Sequence, residues 1–176
     1  MAVYGEHLVL AQRGKSIDPD GRPAQDLLIS LDLGEVLESL HTDLSVGALE
    51  LQGTRSYDLG ELPVEHEGAE HPVKLDFTDL DAVGEDPHGR LVFTAAGEGP
   101  DGSAVEGVIA GSAVGVISAA GELAALVPLA DRTIKLEGVD ARCNPSLGSI
   151  DLLLVSDADD PDVPAPLFAA RLPGDR

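Results

Sequence analysis

Cysteine, tryptophan, positive charge and long apolar runs are all scarce. Cys143 is the sole cysteine, which excludes an internal disulfide and a cysteine-built zinc cage. Lysine and arginine total 11 against 32 acidic residues, a formal charge of −21. Nucleic acid and anionic membrane surfaces both demand a cationic footprint, so neither is expected as a main partner. Apolar runs such as residues 152–155 are far too short to cross a bilayer. Residues 1–10 carry Glu6 and His7 where a signal peptide needs an apolar stretch. These features predict a soluble, cytoplasmic protein. Three Phe, two Tyr and no Trp leave Leu, Val, Ile and Ala to fill the core. With 176 residues and 43% apolar content, the chain can bury such a core as one domain, and it is no disordered polyanion.

What is present comes in short apolar bursts: residues 7–11, 27–33, 48–51, 74–83, 90–95, 112–118, 123–129, 134–141, 150–155 and 167–172. Each has strand length, and turn formers such as Asp18-Pro19-Asp20-Gly21 and Asp86-Pro87-His88-Gly89 separate them. Ten strands are predicted. The one competitor is residues 34–40, where Val36, Leu37 and Leu40 have helical spacing and suggest a short surface helix or an extended loop.

An internal repeat organises the strands. Thr78-Asp79-Leu80-Asp81-Ala82 lines up with Glu137-Gly138-Val139-Asp140-Ala141, an offset of 59, and residues 91–96 line up with 153–158, an offset of 62. A three-residue loop insertion reconciles the two. Residues 7–14 and 27–33 fit the second and third strands of the same unit, whose first strand is missing. The chain then divides into strands two to four of one unit (1–60), all four of the next (61–130) and strands one to three of a third (131–176). Repeated four-stranded antiparallel units are propeller blades, so the expected fold is all-β, a partial β-propeller of about two and a half blades. Fewer than three blades cannot close a ring, which leaves open sheet edges.

The first strand of a propeller blade lines the axis, so Thr78, Asp79 and Asp81 would converge with Glu137 and Asp140. Oxygen ligands of that kind suit Ca²⁺ or Mg²⁺, and Asp79, Asp81, Glu137 and Asp140 are the candidate metal ligands. Asp79 and Asp81 flank Leu80 and share a face. The same carboxylates could instead accept backbone N–H groups from neighbouring strands or face channel water. Asp157, Asp159 and Asp162 have the spacing of a calcium loop without its glycine and closing Glu, so a solvated turn before Pro161 and Pro164 is favoured. Glu65, His66, Glu67, Glu70 and His71 include zinc-binding types without the H-E-x-x-H spacing, and a flexible charged connection between blades is expected there. Ser112 sits in Gly111-Ser112-Ala113-Val114-Gly115, which is not the G-x-S-x-G order and precedes no helix. Cys143 has Arg142 beside it but no assignable catalytic partner.

Residues 74–82, 89–96, 111–116, Lys135-Leu136-Glu137-Gly138 and 154–161 together resemble the C-terminal half of an uncharacterised family of bacterial propeller-like proteins. The resemblance covers residues 70–172 well and the rest faintly. It implies full-length members about twice as long, so that this chain would be a half: a truncated paralogue, one product of a split gene, or a fragment. It implies no reaction. More distantly, Glu137-Gly138 is similar to the gluconolactonase and calcium-dependent phosphotriesterase group of six-bladed propellers, without the Trp that often follows there. That likeness implies acidic residues holding a divalent cation in a central channel.

Two functions follow as expectations. One is a non-catalytic interaction or assembly module, a half-propeller completed by a second chain or copy, because missing edge strands leave backbone groups unpaired. The alternative is a divalent-metal-dependent hydrolase of lactones, esters or phosphoesters, with Glu137 and Asp79 on a channel cation. A closed ring supplies such ligands from several blades, so the interaction reading is preferred.

Overall fold

The computed structural model describes residues 1–14, 24–42, 49–84, 89–99, 103–157 and 162–173. Within them the chain is all-β apart from one helix, and every paired strand is antiparallel to its neighbour. The first sheet holds β1 (Ala2–Tyr4), β2 (His7–Gln12), β3 (Asp26–Asp32) and β4 (Leu51–Tyr57). The second holds β5 (Glu61–His66), β6 (Ala69–Val83), β7 (Arg90–Glu98), β8 (Ile109–Ile117) and β9 (Leu123–Pro128). The third holds β10 (Leu136–Asn144), β11 (Ser149–Ser156) and β12 (Leu167–Pro173). Spatial order follows chain order in all three, as expected of strands joined by local antiparallel connections.

Twelve described strands thus replace the ten expected. The first strand thought missing is β1, which pairs Ala2 with Val9 and Tyr4 with His7. Residues 65–71 are no flexible connection but part of the β5–β6 hairpin, whose turn places Glu67 at φ 52° and Gly68 at φ 78°. Two left-handed residues in succession match the twist of the strands they join. Residues 34–40 are helical, inside α1 (Leu33–Thr42). Asp32 caps it by accepting the Glu35 amide at 2.9 Å, and Thr42 returns its hydroxyl to the Glu38 carbonyl. The helix lies against β3 and β2, with Val36 buried. No helix among the described residues is long and apolar enough to cross a membrane.

The second sheet is the middle layer. On one face Leu91, Phe93 and Ile117 pack with Phe77 against Ala2, Val9 and Leu28 of the first sheet. Phe77 meets Phe93 edge-on at 4.9 Å between ring centres and Tyr57 at 5.9 Å, so three of the five aromatic residues form one cluster. On the other face Val92 and Val114 pack with Leu136, Ile150, Leu152 and Leu154 of the third sheet. Cover on both sides is why β7 and β8 read as unbroken apolar runs instead of alternating ones.

Strand pairing carries the repeat. β6 has a bulge at Thr78, between the pairs Phe77 with Ala95 and Asp79 with Thr94. β10 has one at Glu137, between Leu136 with Ser156 and Gly138 with Val155. Thr78 and Glu137 are repeat-mates. Their partner strands, however, are 61 residues apart, from Thr94 to Val155, and not 62. A slip of one residue moves every side chain to the opposite face, so Val92 corresponds to Leu153 and not to Leu154.

Candidate functional site

The bulge at Thr78 aims the predicted acids. Simple alternation would put Asp79 and Asp81 on the side of Phe77, in the aromatic cluster. The extra residue moves them to the side of Thr94 and Val92, toward the third sheet. Thr78 holds the bulge with a hydroxyl bond to Thr94 at 2.9 Å. Asp79 then accepts the Val139 amide at 3.0 Å, and Asp81 accepts the Ala141 amide at 2.7 Å and that of Ala82 at 2.8 Å. The second oxygen of Asp79 meets the Met1 amine at 3.4 Å. β10 is an edge strand, so these outward amides have no ladder partner. Ionised acceptors satisfy them with bonds stronger than a neutral carbonyl would make.

Of the four candidate metal ligands, Asp79 and Asp81 take the arrangement in which carboxylates accept backbone N–H groups. Glu137 pairs with Lys135 at 3.4 Å, and Asp140, largely exposed, pairs with Arg142 at 3.3 Å. Among the described residues no three His, Cys, Asp or Glu side chains are placed to hold a metal ion. His66 and His71 lie on the β5–β6 hairpin, and Asp159 lies outside the described residues. Ser112 is fully buried, accepts the Leu136 amide at 2.9 Å and donates to the Ile134 carbonyl at 2.8 Å, so it ties β8 to the chain entering β10. Cys143 is exposed on β10.

The junction of the first and second sheets uses the same device. Asp26, on β3 and fully buried, accepts the Gly14 amide at 3.1 Å and the Phe77 amide at 3.3 Å. Its other oxygen lies 2.8 Å from the Lys74 ammonium, which also donates to Asp76 at 2.9 Å. Burial pushes the Asp26 carboxyl above its ordinary range despite the hydrogen bond from Lys74. Burial opposes the Lys74 ammonium too, but its hydrogen bonds with Asp26 and Asp76 outweigh that and raise its pKa.

Register identifies one more surface. In the second sheet Val92 pairs with Val116 and Thr94 with Val114, on the side that receives the third sheet. The matching pairs in the third sheet are Leu153 with Ala169 and Val155 with Leu167. Val92 is 0% and Val114 6% exposed, whereas their counterparts Leu153 and Leu167 are 47% and 67% exposed. Asp81 pairs with Val92 as Asp140 pairs with Leu153, so Asp140 stands where a carboxylate would cap the next sheet's edge. Sequence reading missed this surface because its offset of 62 assigned Leu153 to the wrong face.

Stacked antiparallel sheets, each sealed to the next by carboxylates on backbone amides, are the class of structure this geometry defines. A family of unknown function, DUF6910, matches residues 1–161, and the chain belongs to it. The match takes in the N-terminal part, where the resemblance is faint, as well as most of residues 70–172. No curated protein and no solved structure matches the chain, so the likeness to the gluconolactonase group has no matched relative behind it.

Proposed function

We propose that the protein is a non-catalytic interaction or assembly module: a partial β-propeller of about two and a half blades, whose third sheet receives a further sheet from a second chain or copy. The outer face of that sheet carries the argument. Leu153, Val155, Leu167 and Ala169 repeat the positions that bury the second sheet against the third, and Asp140 repeats the capping position of Asp81. Apolar surface laid out in this pattern gains about 25 cal/mol per Å² when covered. At the opposite end of the stack α1 lies against β2 and β3 of the first sheet. The net charge of −21 keeps the open face soluble and favours a partner less acidic than this chain.

Light scattering coupled to size exclusion, over a range of protein concentrations and with co-purifying chains retained, tests the proposal. The expected result is a complex or dimer that Leu153→Glu with Leu167→Glu dissolves while the fold persists. A parent protein that stays monomeric at every concentration, and behaves as the double variant does, overturns it.

A further inference from the structure

A cleft of about 310 Å³ lies where the first sheet faces the second and the β8–β9 turn. Pairing explains its presence. Ser30 is opposite Gly53, and Leu28 is opposite Arg55, so two of the smallest side chains meet on the inner face of the first sheet. Gly53 is exposed, and a Cβ added there would meet nothing within 4 Å, so the cleft is open to solvent along β4. Val9, Leu28, Leu91 and Ile117 give the cleft an apolar lining.

Among the described residues that line this cleft, Arg55 is the one cation. It donates to the Ala120 carbonyl at 2.7 Å, and the Tyr57 hydroxyl donates to the Gly121 carbonyl at 2.8 Å. Gly121 has φ 76°, and any Cβ there would strike the guanidinium. Arg55 is therefore held in place by the bond to Ala120 and by its interaction with the Tyr57 hydroxyl, which leaves part of its five-donor fork free. Among the described residues no carboxylate pairs with it, in a chain with 32 acidic residues. A staple between sheets would account for the bond to Ala120. It would not account for the open cleft beside it, which a larger residue at 53 would narrow without touching the staple.

We infer that this cleft binds a small organic monoanion, its carboxylate on Arg55 and its apolar body over Leu28 and Leu91. One guanidinium matches one carboxylate, in a two-bond fork. Polyanions are excluded by the field of the whole chain. At roughly 30 Å³ per water-sized group, the volume suits about ten non-hydrogen atoms. The inference is independent of the assembly proposal, because the cleft lies between the first two sheets and the open face belongs to the third.

Benzoate is a suitable probe and benzamide its neutral counterpart, followed by amide NMR shifts of Gly53, Ser118 and Gly121. Benzoate is expected to saturate with a Kd on the order of 1 mM, and benzamide to bind about tenfold more weakly or worse. Arg55→Gln keeps an N–H for Ala120 but removes the charge, and Gly53→Val narrows the cleft on a strand that tolerates a branched residue. Each is expected to weaken benzoate about tenfold or more with the amide spectrum otherwise retained. Should Arg55→Gln unfold, Gly53→Val alone decides. Absent saturation, equal shifts from benzamide, or parental affinity in the folded variants overturns the inference.

Discussion

Asp81 grips the amide of Ala141 at 2.7 Å across 60 residues of chain, and the bond joins two strands of different sheets. Its removal tests whether the carboxylate works as an edge cap. Asp81→Ala leaves a partly buried amide without an acceptor and is expected to cost about 1–3 kcal/mol. Asp81→Asn keeps an acceptor oxygen and is expected to cost less than half as much. Urea unfolding midpoints check the order, and an Asn variant as damaged as the Ala variant would show that the charge, not the acceptor, matters.

Phe93 lies over Gly115, its partner across β7 and β8, so closely that a Cβ at 115 would overlap the ring. Phe93 also anchors the aromatic cluster through Phe77 and has no free space to retreat into. Gly115→Ala is expected to destabilise by about 1–3 kcal/mol, the usual cost of overpacking. Thermal unfolding measures it. A neutral outcome would mean that the two sheets can separate locally.

The buried Asp26 gives stability a recognisable pH dependence. Its pKa is raised above the ordinary 3.8, chiefly by burial, so the folded state holds more protons here than the unfolded chain. Its contribution is accordingly best at low pH and declines as pH climbs from 3.8 through the raised value. Lys74 works at the other end: raised above 10.5, it stabilises below that pH and loses the effect as pH passes its folded value. Asp26→Asn should flatten the acid-side decline and lessen the alkaline one, and parallel stability curves for parent and variant would contradict the assignment.

Glu67 adopts φ 52° in the β5–β6 turn, a conformation that costs a side chain like Glu about 1 kcal/mol and costs Asn less. Glu67→Asn creates the Asn-Gly pair preferred in such turns, and a gain of about 0.5–1 kcal/mol is expected. A fall in the unfolding midpoint would mean that Glu67 makes a compensating contact.

Of the residues singled out by sequence, Asp79, Asp81 and Ser112 lie at the junction of the second and third sheets, while Asp140 stands on the exposed side of the third. That Asp79 and Asp81 share a face was legible from their spacing about Leu80. Which face they share was not, because one bulged residue at Thr78 reverses the answer and leaves no mark in composition. Gly53 and Arg55 carried no signal at all, since β4 is exposed and polar and its pairing is imposed by β3.

Local chemistry alone determined that this chain makes short antiparallel strands, that two stretches 59 residues apart are related, and that no disulfide or cysteine cage braces them. Hydropathy period and turn residues act within a few positions, so they are written in the sequence directly. The stacking order, the caps between sheets and the open face of the third were decided in three dimensions. β7 is apolar on both sides, and a strand without alternation does not declare its register; only its packing between two other sheets selects Val92, and through it Leu153, for the outward side.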